Sequence, residues 1–141
     1  MIKRVEADGL ILGIIISANF NEEGIHFFTP NNFSQQLAFM NHPTGYLIKP
    51  HKHNLLRREV EYTQEVLVIK KGRLRVDFYD VRNQFFESFI LGAGDVVLLA
   101  NGGHGFEVIE QVEMFEIKQG PYAGDVDKTR FSSSIRSAER E

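Results

Sequence analysis

Cysteine is absent from this chain of 141 residues, which excludes disulfides and thiolate-bound metals and leaves no redox mark of its compartment. Long apolar runs are absent too. Leu10–Ser17, behind Lys3 and Arg4, has the outline of a secretion signal. Glu6 and Asp8 stand where such a signal carries no acid, and the run is far short of the ~20 residues that span a bilayer. Basic clusters are missing: a net charge of −3, without a positive patch, argues against nucleic acid as a partner. No internal repeat or low-complexity tract occurs. These absences predict a soluble, cytoplasmic protein with neither membrane nor nucleic acid among its partners.

The chain does have glycine, phenylalanine and β-branched aliphatics in quantity. Twelve Gly and twelve Phe beside many Val, Ile and Leu favour an all-β sandwich or barrel, and the length suits one domain with its own core. Residues 9–19 form a continuous β-branched run, a first strand covered on both faces. A second subunit would supply that cover and predicts a homodimer, although a thick one-chain sandwich also serves. Ile25–Thr29 and Ser34–Met40 read as strands. Glu65–Lys71 is apolar on both faces, and Lys71-Gly72 is placed as a turn. Arg73–Asp80 then alternates, with Leu74, Val76 and Phe78 inward and Arg73, Arg75, Asp77 and Tyr79 outward. Phe85–Leu91, Val96–Ala100 and Val112–Gln119 complete the set. A barrel domain of residues 1–122 is thus followed by a polar, Ser-rich tail, 123–141, expected to be partly ordered.

The chemistry gathers between Gly45 and Gly72. Side chains of a strand alternate between faces, so His51 and His53 point the same way. Imidazole and carboxylate are good ligands of first-row metals, and these two with Glu65 make most of a site. His104, where Asn101-Gly-Gly103 returns the chain with His104, Phe106 and Val108 on one face, is placed to be the third histidine. His26 and His42 read as surface or hydrogen-bonded residues.

At these residues the sequence resembles the cupin superfamily. Gly45, His51, His53, Glu65 and Gly72 match its first motif in identity, with both outer spacings kept and a longer loop between His53 and Glu65. Gly94, Gly102 and His104 match the second, in which Ala100 replaces the usual proline and Val108 the usual asparagine. The resemblance implies an all-β, single-domain cupin: a double-stranded β-helix, or jelly-roll-like barrel, often dimeric. It implies one divalent transition metal per chain on His51, His53, Glu65 and His104, with iron, manganese, nickel, copper and zinc all suited to such donors.

Asn54–Gln64 is expected to be an extended hairpin between the ligand strands, with Arg57 and Arg58 near a tip over the barrel mouth. Arginine forks bind phosphate or carboxylate, so Arg57 and Arg58, together with Lys49 of the ligand strand, are the candidate contacts to an anionic small molecule. The stretches Thr63–Leu67 and Val76–Asp80 look like those of small cupins linked to bacterial surface-polysaccharide and nucleotide-sugar pathways. The resemblance implies a metal-dependent enzyme of carbohydrate metabolism, an isomerase or epimerase, or a dioxygenase, acting on a small polar metabolite. The alternative is a non-catalytic cupin dimer that binds a sugar or carboxylate. No catalytic acid/base pair can be assigned from spacing.

Overall fold

Alternating apolar residues, cornered by glycine, produce eight strands in the computed structural model, which describes residues 1–133. These are β1 (Ile2–Ala7), β2 (Leu10–Ile16), β3 (Gly24–Phe27), β4 (Ala38–Asn41), β5 (Glu65–Tyr79), β6 (Phe85–Leu91), β7 (Val96–Leu99) and β8 (Gly103–Lys118). The protein is all-β. Six strands form one antiparallel sheet in the order β1–β2–β7–β5–β6, with β8 also paired to β5, and β3–β4 form a separate hairpin. Among the described residues no helix is long and apolar enough to cross a membrane.

β5 is the hub. Its first stretch, Glu65–Val68, pairs with β7, and its second, Leu74–Tyr79, pairs with β6, while β8 follows both along the other edge. The Lys71-Gly72 turn expected from the sequence is instead a bend within one long strand. Register slips between Ile69 and Leu74, and Gly72 adopts φ +89°, where an added Cβ would run into the Gln111 carbonyl. For the same reason the separate strands expected around His104 and at Val112–Gln119 are one strand, β8. The bend curls the sheet into an antiparallel half-barrel.

Two apolar clusters hold it. Inside the curl lie Leu67, Ile69, Leu74, Val76, Phe78 and Leu99. On the opposite face Ile14, Ile16, Val66 and Leu98 are covered by Phe20 and Phe28, with Phe39 of β4 beside them. β2 therefore has cover on both faces, as its apolar run requires, and the chain itself supplies it through the β3–β4 hairpin.

Arg75 and Asp77 do point away from the inner cluster, but they are not solvated: they are 2% and 1% exposed. The Arg75 guanidinium donates to Asp77 and to Glu107, each at 2.8 Å, and Ser88 donates its hydroxyl to Asp77 at 2.5 Å. Tyr79, also expected outward, is buried under Phe131, ring to ring at 5.1 Å, and its hydroxyl lies 2.6 Å from that of Ser133. The start of the polar tail thus packs on the sheet, while 134–141 lie outside the described residues.

The stretch from His42 to Gln64 forms neither the ligand strand nor the hairpin expected of it. It contains no β-structure, and residues 43–62 are all exposed. We call it the arm. Its C-terminal end is tied by Gln64, which receives a backbone hydrogen bond from Gln35, and by the Thr63 hydroxyl, which donates to Asp127 at 2.6 Å.

Candidate functional site

Cross-strand register explains which polar groups meet inside the half-barrel. Gly13, Leu99, Glu65 and Lys118 form one row across β2, β7, β5 and β8, and Ile15, Val97, Leu67 and Glu116, two residues along, form the next on the same face. Members of adjacent rows on one face are diagonal neighbours, so Glu65, Glu116 and Lys118 share a patch. At the other end of the same ladder His104 pairs with Phe78. The bend in β5 brings that end back over the first: the Phe78 ring reaches Gly13, and His104 reaches Glu65.

The contact is direct. His104 Nε2 lies 2.8 Å from Glu65 Oε1, with the side chains 32% and 13% exposed. Hydrogen bonding from His104 is the main reason the Glu65 carboxyl titrates below the ordinary glutamate range; a hydrogen bond from Glu116 adds to it, against the opposing effect of burial. Glu116 moves the other way. Its hydrogen bond to Glu65 holds the proton on Glu116, and burial and the Glu65 charge raise its pKa further. The two carboxyls are thus shifted in opposite directions, Glu65 below the ordinary range and Glu116 above it, with the His104 imidazole against Glu65. Phe106, 5.5 Å from His104 between ring centroids, forms an apolar flank.

Of the four predicted metal ligands, Glu65 and His104 come together. His51 and His53 do not join them. They lie on the arm, exposed, with ring centroids 5.6 Å apart and His51 Nδ1 2.8 Å from the Lys49 carbonyl oxygen. Among the described residues no three His, Asp or Glu side chains form a metal-holding group. The donor chemistry of the four residues suits a transition metal, but only half of the set converges. Lys49, Arg57 and Arg58 are likewise exposed on the arm, without an ion pair among the described residues. His26 approaches the Glu23 carbonyl oxygen at 2.6 Å, and His42 stacks on Tyr46 at 4.2 Å, both in local roles.

Sequence reasoning missed Glu116. Its alternate position in Val112–Gln119 places it on one face, but only the β5–β8 register puts that face against Glu65. A cleft of about 270 Å³ adjoins the patch, between Val60–Thr63 of the arm and Lys118–Lys128, so Lys118 borders both. Set against known proteins, the chain matches no family model, no curated protein and no solved structure.

Proposed function

We propose that this protein is a metal-binding cupin enzyme acting on a small polar metabolite, of the sugar or nucleotide-sugar isomerase or epimerase type. The observation that carries the reading is Glu116: a polar group that converges on a proposed ligand, Glu65, without belonging to the ligand set. Moving a proton between adjacent carbons needs one group that takes a proton and one that gives it, and no outside oxidant or reductant. Glu116, whose carboxyl is shifted above its ordinary range beside Glu65, is the group placed for that proton transfer. His51, His53, Glu65 and His104 would hold the metal, which when bound polarises a carbonyl oxygen. Lys49, Arg57 and Arg58 would meet an anionic group of the substrate.

The test joins metal analysis of the purified protein with exchange of substrate carbon-bound hydrogen in deuterated water, assayed on a panel of nucleotide sugars. About one transition metal per chain, and exchange that Glu116→Gln abolishes while metal content holds, is the expected result. A metal-free protein after reconstitution removes the metal reading. Saturable sugar binding without exchange favours the second reading, a binding module, for which the exposed apolar flank of Phe106 and Val108 speaks.

A further inference from the structure

The arm and the outer edge of β8 are both incomplete. β8 is hydrogen-bonded along one edge to β5, and no strand pairs with its other edge among the described residues. A long free edge is a template for another strand. The arm carries strand-forming Tyr46, Leu47 and Ile48, then Pro50, which suits only an edge position. It is left in water: Leu47 is 86% exposed and Leu55 fully so. From Tyr46 to Glu59 no side chain hydrogen-bonds or ion-pairs with the body of its own chain among the described residues.

Charge matches as well. Along β8, Glu110 and Glu113 meet Arg73 and Lys70 on the β5 side yet remain 60% and 50% exposed. The arm offers Lys49, Lys52, Arg57 and Arg58 in return.

We propose that the arm of one copy lies along the free β8 edge of a second copy and delivers His51 and His53 to that copy's Glu65 and His104. The centre is then built from two chains, and neither chain completes it alone. This rests on the metal reading above for its chemistry, but not for the exchange itself. A second copy is favoured over the chain's own edge because the arm stands off its own body, with its apolar side chains uncovered. Twofold symmetry makes the exchange reciprocal, so both arms and both edges are covered together. His51 and His53, two apart on a docked strand, would share one face, as ligands must.

Two measurements decide it. The chain has no cysteine, so Leu47→Cys accepts a single benzophenone cross-linker. Photolysis of mixed ¹⁵N-labelled and unlabelled protein is expected to give a covalent dimer, twice 16.1 kDa, with residue 47 of one chain joined to β8 of the other. Cross-links to β8 confined to one chain, or none to β8, overturn the exchange whether or not metal binds. The second measurement mixes the His51→Ala/His53→Ala variant with His104→Ala, unfolding and refolding them together. Each alone is expected to hold no zinc, and the mixture about a quarter of the wild-type amount, since half of randomly paired dimers contain one intact centre of two. A mixture as empty as its components, with wild type loaded, overturns the shared centre. Wild type that takes up no metal removes the metal reading, and the cross-link alone then judges the arm.

Discussion

The ring of Phe78 occupies the space in which a side chain at position 13 would stand. A methyl on Gly13 would run into the ring and come within 2.9 Å of the Leu98 carbonyl oxygen. This contact seats the far end of β5 against β2, and with it His104 over Glu65. Gly13→Ala is expected to cost about 1–3 kcal/mol through overpacking, read as a lower urea midpoint. A midpoint equal to wild type would show that the curl is not closed at this contact.

Asp77 supports the other face of the same strand. Both it and Arg75 are buried, and truncating Asp77 takes one carboxylate from the buried Arg75 charge, which keeps Glu107 at 2.8 Å. Asp77→Ala is expected to lower stability by about 3 kcal/mol, measured by denaturant unfolding at neutral pH. An effect within about 0.5 kcal/mol, the size usual for an exposed position, would mean that solvent reaches Arg75 in solution.

Stability should depend on pH through Glu65 and Glu116 in opposite senses. Glu65 titrates below its ordinary value of 4.5, chiefly through His104, so its contribution is full above that value and is lost as pH falls through the folded pKa. Glu116 titrates above 4.5 because of its hydrogen bond to Glu65, so the folded state is favoured while it keeps its proton and loses stability as pH rises through the raised pKa. Urea midpoints between about pH 3 and 8 should therefore fall on both sides of an optimum. Glu116→Gln keeps a donor to Glu65 but cannot titrate, and should flatten the alkaline limb alone. An unchanged alkaline limb would place the raised group elsewhere.

Ligand variants should separate metal from fold. His104→Ala is expected to weaken metal retention by at least about 100-fold while circular dichroism and cooperative unfolding persist, because the apolar clusters hold the sheet. Loss of the folded signal would make the ion structural.

The arm cations should act on the substrate. Arg57→Ala with Arg58→Ala should weaken an anionic ligand about tenfold or more and leave metal content alone, read by calorimetry. Equal affinity would mark the two arginines as solvated charges.

Strand character and side-chain parity were legible in the residues themselves. Leu74, Val76 and Phe78 face the core as their alternation requires, and the two-sided apolar run of β2 is covered on both faces. These follow from local geometry, in which alternate side chains of an extended chain take opposite faces. What covers a face is not local. Parity put Arg75 and Asp77 opposite the core but could not show that Glu107 and Ser88 close over them, nor that Phe131 of a polar tail shields Tyr79.

Composition and spacing by themselves determined an all-β chain and placed Glu65 and His104 in one expected ligand set with His51 and His53. Only the tertiary structure decided that these two touch, that Glu116 joins them, and that His51 and His53 stand apart on an exposed arm. The reason is the bend at Gly72. Alternation fixes each residue's side of a strand, but the register of β5 against β8 and the curl of that ladder set which distant residues share a point in space.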